Sequence, residues 1–164
     1  VATGTRAVHV MAGRSDGSAE AEACFRNNLA FACDLAGVQN LSILIEPINT
    51  RDVPGYHLSG TDHAERILDA MALPNLKIMF DCYHMQIMQG DLSASIQRLL
   101  PKIGHIQIAA VPDRGEPDRG EVDYAWLVSA FEKIGYEGYV GAEYRPRSTT
   151  SHGMGWMAAL RNSS

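Results

Sequence analysis

Cysteine is scarce. The 164 residues hold three, Cys24, Cys33 and Cys82, with no CxxC pair. An odd, sparse set argues against a disulfide framework or a thiolate zinc site and favours a reducing, cytoplasmic setting. Cys24 and Cys33 fall within a helical pattern and read as small packed hydrophobes. Long apolar runs are also missing. No stretch approaches the roughly 20 residues that a membrane span needs, and the first 13 residues have no basic start and are interrupted by Arg6 and His9, so no secretory leader is expected. The chain does not begin with Met, which fits a fragment or a processed chain. Positive charge is not concentrated anywhere. With a formal net charge of -5 and no Lys/Arg block, a nucleic-acid surface is excluded, because nothing stands ready to neutralise phosphates. No repeat or low-complexity stretch is present. A charged fraction of 20% beside a hydrophobic fraction of 46% describes a globular domain with a core of its own.

What is present is alternation. Short apolar runs read as strands: Arg6–Ala12, Leu41–Pro47, Leu76–Asp81, Ile103–Ala109 and Tyr139–Tyr144. Between them lie segments of helical period. The first runs from about Ala19 to Ala36, with Phe25, Leu29 and Ala32/Cys33 on one face and Gly37 at its end. The second runs from about Asp62 to Ala72, capped by Thr61 or Asp62, with Ile67, Leu68 and Met71 inward. The third is Leu92–Leu100, stopped by Pro101. A fourth is capped by Asp123, with Leu127, Ala130, Phe131 and Ile134 inward and Gly135 beyond it. A terminal helix with Trp156 and Leu160 is expected to pack on the outside. Trp126 and Phe131 read as core residues. Asn49–Gly60 and Val111–Glu121 are polar loops rich in Gly and Pro. Near-continuous apolar strands alternating with helices predict an α/β fold, a parallel sheet covered by helices, in one domain over residues 1–164.

Four of these strands carry a metal-capable residue near the C-terminal end: Glu46, Asp81, Gln107 and Glu143. In a parallel sheet those ends converge on the face where active sites form. Three carboxylates and an amide oxygen are hard ligands suited to Mg²⁺ or Mn²⁺, with water or substrate completing the shell. Crowded carboxylates repel unless a cation neutralises them. The competing explanation for each is a helix cap or a loop ion pair. His84, just after Asp81, is a candidate substrate contact or proton shuttle, and Arg114 is a candidate clamp for a substrate carboxylate, with Glu116 beside it. Arg145, two residues after Glu143, is a candidate to orient that carboxylate. His9, His57 and His105 carry weaker signals, and His105 shares a strand face with Gln107 and reads as a core histidine.

The stretches LIEPINTRDVPGYHLS (44–59), NLKIMFDCYHMQIMQGDL (75–92), GHIQIAAVPDRGEPDRGEVDY (104–124) and GYVGAEYRPR (138–147), bracketed by HVMAG at His9 and GMGW before Met157, resemble hydroxypyruvate isomerases of the xylose-isomerase-like barrel superfamily in residues and in order. The resemblance implies a (β/α)8 barrel with one divalent metal, Mg²⁺ or Mn²⁺. It makes Glu46, Asp81, Gln107 and Glu143 the metal ligands, Glu46 and Glu143 the acid/base pair, and His84 and Arg114 the substrate contacts. Glutamine at 107 fits hydroxypyruvate isomerases better than ketose epimerases, which usually place histidine there. The implied reaction interconverts hydroxypyruvate and tartronate semialdehyde through an enediolate. The alternatives are a 2-oxo-tetronate isomerase or ketose 3-epimerase on the same site, or a non-catalytic metal-binding barrel fragment. DNA-repair nucleases of the superfamily are disfavoured by the acidic charge. Only about five of eight strands are expected here, approximately the fourth to the eighth, so a missing N-terminal segment or another chain would have to close the barrel.

Overall fold

A computed structural model describes residues 2–161, apart from the side chains of residues 159 and 161. The element order is β1 (Ala7–His9), α1 (Ala19–Gly37), β2 (Ser42–Ile45), α2 (Thr61–Met71), β3 (Leu76–Asp81), α3 (Cys82–Met88), α4 (Leu92–Leu99), β4 (Ile103–Ile108), α5 (Tyr124–Lys133), β5 (Val140–Ala142), α6 (Thr150–Gly153) and α7 (Trp156–Arg161). The five strands form one all-parallel sheet in sequence order. This is half of a (β/α) barrel, with β1 and β5 as its two edges.

The pleat explains which residues go where. Successive side chains on a strand point to opposite faces. Ile43, Ile45, Leu76, Ile78, Phe80, Ile106 and Ile108 point outward and join Phe25, Leu29, Cys33, Ile67, Leu68, Ile96, Leu127 and Phe131 from the helices in the principal core. Their alternates, His9, Glu46, Asp81, Gln107 and Glu143, therefore share the concave face. A register shift between β3 and β4 at Ile78/Met79 accompanies Gly104. A Cβ at Gly104 would come within 2.7 Å of Leu44 Cδ2 and 2.8 Å of Lys77 Cβ, so the strand approaches its neighbours there only because the residue is glycine.

The sequence-predicted strands appear at the expected places, with β1 and β5 trimmed to three residues each. Four expectations are corrected. Residues 82–88, unassigned from sequence, form α3, because Asp81 caps it: its Oδ1 accepts from the Tyr83 and His84 N–H groups at 2.7 and 3.4 Å. The cap of α2 is Gly60, with no side-chain bond, since Thr61 is already the first helical residue and gives its hydroxyl to Gln89. Trp126 is 57% exposed, because the inward stripe of α5 passes through Tyr124, Leu127 and Phe131. Cys33 is buried but Cys24 is exposed, lying one residue off the Phe25–Leu29–Cys33 stripe. Pro101 ends α4 as expected, through a single turn of 3-10 helix. Trp156 and Leu160 of the terminal helix pack against the core.

Leu29 is fully buried between α1 and the sheet. Leu29→Ala should lower the unfolding free energy by about 2–5 kcal/mol through lost burial and the cavity left behind, measured as a shifted midpoint in urea with an unchanged slope.

Candidate active site

The C-terminal ends of the strands bring most of the sequence-predicted site together. Glu46, Asp81 and His84 form a tight buried cluster, with ligand-capable atoms all within 4.8 Å of one another. Gln107 and Glu143 stand beside it. Gln107 Nε2 donates to Glu143 Oε2 at 3.1 Å, and Arg114 Nη2 donates to Glu143 Oε1 at 3.2 Å. Glu143 is the exposed member, because β5 is a sheet edge with no neighbour beyond it among the described residues.

Asp81 does two jobs at once. Oδ1 caps α3, while Oδ2 is buried without a hydrogen-bond partner. The cap and the functional reading thus apply to different oxygens of one carboxylate. The same unmet condition recurs around it: Glu46 Oε1, Gln107 Oε1, His84 Nε2 and His9 Nε2 are all buried and unpartnered. Such groups are costly to bury. Three of the five are carboxylate or amide oxygens, the donor type a hard divalent cation requires; Glu46 Oε1 and Asp81 Oδ2 both face His84 Nε2, and Gln107 stands in register with Asp81 on the next strand. The residues present therefore fit such an ion.

The His84 ring has a defined tautomer. Its Nδ1 accepts from the backbone N–H of Asn49 at 3.3 Å and lies 2.7 Å from the Asn49 side-chain amide. The ring proton must then sit on Nε2, which faces Glu46 Oε1 at 3.6 Å and Asp81 Oδ2 at 3.8 Å. His84 is thus a donor into the site, not a lone-pair ligand, although it lies within the geometric cluster.

Electrostatics follow from burial. Desolvation, reinforced by the charges of Asp81 and Glu143, pushes the Glu46 carboxyl up to about 8. Asp81 is raised to about 6, chiefly by desolvation and against the pull of Arg114. His84 is lowered to about 4 by desolvation and the Arg114 charge, and is neutral near pH 7. His9 is lowered by burial, and its Nε2 sits 3.5 Å from Glu46 Oε2.

Arg114 is held with φ +55, and its guanidinium lies 5.1 Å over the Tyr83 ring. The Tyr83 hydroxyl donates to Asp52 Oδ2 at 2.5 Å, and Asp52 is held in turn by Asn49 Nδ2 at 3.1 Å. Asn49, Asp52 and Tyr83 therefore line the site, although sequence reasoning passed over them. The available signal was the Asn49/Asp52 spacing, a side-chain turn closed by the Asp52 N–H to Asn49 Oδ1 bond of 2.7 Å. Arg145 is exposed, and Arg114 takes the carboxylate-orienting position proposed for it; Arg145 contributes its backbone N–H to the Arg114 carbonyl at 2.7 Å. Glu116 lies outside the site, buried under Arg147, whose backbone N–H and Nη1 it accepts. His105 is half-buried on the concave face, where a Cβ at Gly141 would come within 2.8 Å of its Nε2.

The half-barrel and its strand-end site define a class, the TIM barrels with a carboxylate-rich mouth. The family described as xylose isomerase-like TIM barrel matches residues 1–160, and the chain belongs to that family. It is 47% identical over 157 residues to the 2-oxo-tetronate isomerase of Cupriavidus necator, covering 94% of this chain and 60% of that protein. It is 40% identical over 163 residues to the hydroxypyruvate isomerase of Escherichia coli, covering 98% of this chain and 63% of that one. Among solved structures, a protein described as AP endonuclease, family 2, from Brucella melitensis superposes with a TM-score of 0.89 at 41% identity, over 93% of this chain and 60% of that chain. The chain thus spans somewhat under two thirds of the length of these relatives.

In the metal-free protein, Glu46 keeps its proton up to about 8 but loses it near 4.5 when unfolded. Between those values the folded state binds more protons, so stability falls as pH rises. Asp81 acts in the same sense only up to about 6, and His84 opposes it only below 6.5. Chelator-treated protein should therefore lose stability from pH 6.5 to 8, and Glu46→Gln should flatten that limb; thermal melts across the range test both.

Proposed function

We propose that this chain carries the catalytic face of an isomerase acting on small hydroxy-carbonyl acids, with hydroxypyruvate as the substrate and tartronate semialdehyde as the product. The observation that carries the reading is the set of buried, unpartnered oxygens on Glu46, Asp81 and Gln107 at the ends of three successive strands. Glu46, Asp81, Gln107 and Glu143 would hold Mg²⁺ or Mn²⁺. When bound, that ion supplies Lewis acidity toward the substrate's carbonyl and adjacent hydroxyl oxygens.

The remaining work falls to side chains. One of Glu46 and Glu143 removes a proton from the hydroxyl-bearing carbon next to the carbonyl, and the other delivers a proton to the former carbonyl carbon. The hydroxyl proton passes between the two oxygens, so product and substrate are isomers. Nε2–H of His84 donates to a substrate oxygen, as its Asn49-fixed tautomer allows. Arg114 holds the substrate carboxylate, and its seat on Tyr83 keeps the guanidinium in place. The concave face also needs the remaining barrel strands, from a further segment or another chain, to exclude water from the reaction.

A second reading is favoured by one observation, the 47% identity to a 2-oxo-tetronate isomerase. The same groups would then act on a four-carbon oxo-acid, and turnover compared across three- and four-carbon substrates separates the two. The nuclease description carried by the Brucella melitensis relative stays with that protein, and a net charge of -5 disfavours a phosphate backbone as the substrate here.

Hydroxypyruvate turnover should require added Mg²⁺ or Mn²⁺ and vanish with chelator, and Glu143→Gln should lower kcat by about 10²–10⁴-fold. Full activity in that variant, or with chelator present, would sink the assignment. Arg114→Lys, which loses the planar two-pronged donor, should raise KM more than it lowers kcat, as read from initial rates.

A further inference from the structure

A second group of ligand-capable side chains lies at the outer rim of the same end of the sheet. Glu22 sits in the first turn of α1, His63 in the first turn of α2, and His57 in the loop between β2 and α2. Glu22 Oε2 is 2.9 Å from His57 Nε2 and 3.0 Å from His63 Nε2. Three ligand atoms from three separate segments thus converge within 4.8 Å.

The surroundings are those of a built site. His57 Nδ1 is 2.7 Å from Ser15 Oγ, which itself accepts the Gly17 N–H at 3.1 Å. The edge-on ring of Phe25, 5.4 Å away between centroids, also packs against the His57 ring, whose side chain is only 4% exposed. The other oxygen of Glu22, Oε1, is taken by Arg26 Nε at 2.6 Å, which leaves Oε2 directed at the two imidazoles. Each outer partner thus fixes the atom of its ligand that faces away from the convergence point, as the outer shell of a metal site does.

We propose that Glu22, His57 and His63 form a second metal site, of zinc type, separate from the oxygen-rich site at Glu46 and Asp81. Two imidazole nitrogens and one carboxylate are a three-ligand set that leaves a fourth position for water. In a tetrahedral zinc shell neighbouring ligand atoms stand about 3.4 Å apart, so separations of 2.9 and 3.0 Å need to open by only a few tenths of an ångström. The donor set discriminates between ions. Imidazole nitrogen suits Zn²⁺, while the four-oxygen set suits Mg²⁺ or Mn²⁺. The ion would tie α1, α2 and the 49–60 loop together. That loop carries Asn49, which holds His84, near one end and His57 near the other, so the clip would steady the wall of the first site without touching it.

The test is calorimetric titration of Zn²⁺ into Asp81→Asn protein, which lacks a ligand of the first site, in the presence of excess Mg²⁺. One equivalent should bind. In the same background His63→Gln and Glu22→Gln should each weaken binding by at least about tenfold, and Ser15→Ala by about 10–100-fold. Far-ultraviolet circular dichroism confirms that each variant is folded, and the two ligand variants are independent tests. No Zn²⁺ uptake by the Asp81→Asn protein, or uptake unchanged by both His63→Gln and Glu22→Gln, would overturn the proposal and leave the triad as a hydrogen-bonded tie between two helices.

Discussion

Two acidic side chains, Glu46 and Asp81, lie buried side by side at the ends of apolar strands, and the geometry of the site follows from that constraint. Carboxylates in such a place are unstable as anions. Glu46 shows it by holding its proton far above the ordinary range, with the neighbouring Asp81 charge adding to the cost of burial. A compensating positive charge is required for both to ionise. Arg114 supplies part of it from the loop after β4, but its guanidinium is directed to Glu143 and seated on Tyr83. The inner oxygens stay unpartnered. A divalent cation would resolve this by neutralising the carboxylates and filling their lone pairs together, and the site's chemistry would then be the chemistry that ion permits.

The neighbours divide the labour in a way that follows from which atom of each side chain is already engaged. Asp81 Oδ1 belongs to the backbone of α3 and Oδ2 to the site. His84 Nδ1 belongs to Asn49 and Nε2–H to the site. Gln107 gives its amide N–H to Glu143 and turns its oxygen inward. Asp81 and His84 are thus oriented by bonds to packed backbone and to Asn49, so that part of the site is set up before substrate arrives. The exposed position of Glu143 is the exception, and it has a structural cause. β5 is an edge here, and nothing among the described residues covers the concave face beside it.

The sequence reading and the fold agree closely on β3, on the inward stripes of α1 and α5, and on the placement of the four strand-end residues, because those rest on period. Strong apolar alternation survives tertiary packing. The readings that failed concern single residues near a boundary. Trp126 is apolar but falls between the inward positions of α5. α3 was invisible because Cys82–Met88 is too short for a helical stripe to stand out; Asp81, read from sequence as a candidate ligand, caps it through Oδ1 while Oδ2 lies in the cluster with Glu46 and His84. Arg145 is near Glu143 in sequence, yet Arg114, 29 residues away, reaches that carboxylate.

By itself the sequence determined the parallel α/β architecture and the face on which Glu46, Asp81, Gln107 and Glu143 would meet, since these depend on local period and on the pleat. The tertiary structure decided which atoms of those residues are free, that Asn49 sets the His84 tautomer, that Asp52 and Tyr83 line the site, and that Glu22, His57 and His63 converge. Those outcomes depend on distances between segments tens of residues apart, and such distances are settled only when the chain closes its loops over the packed core.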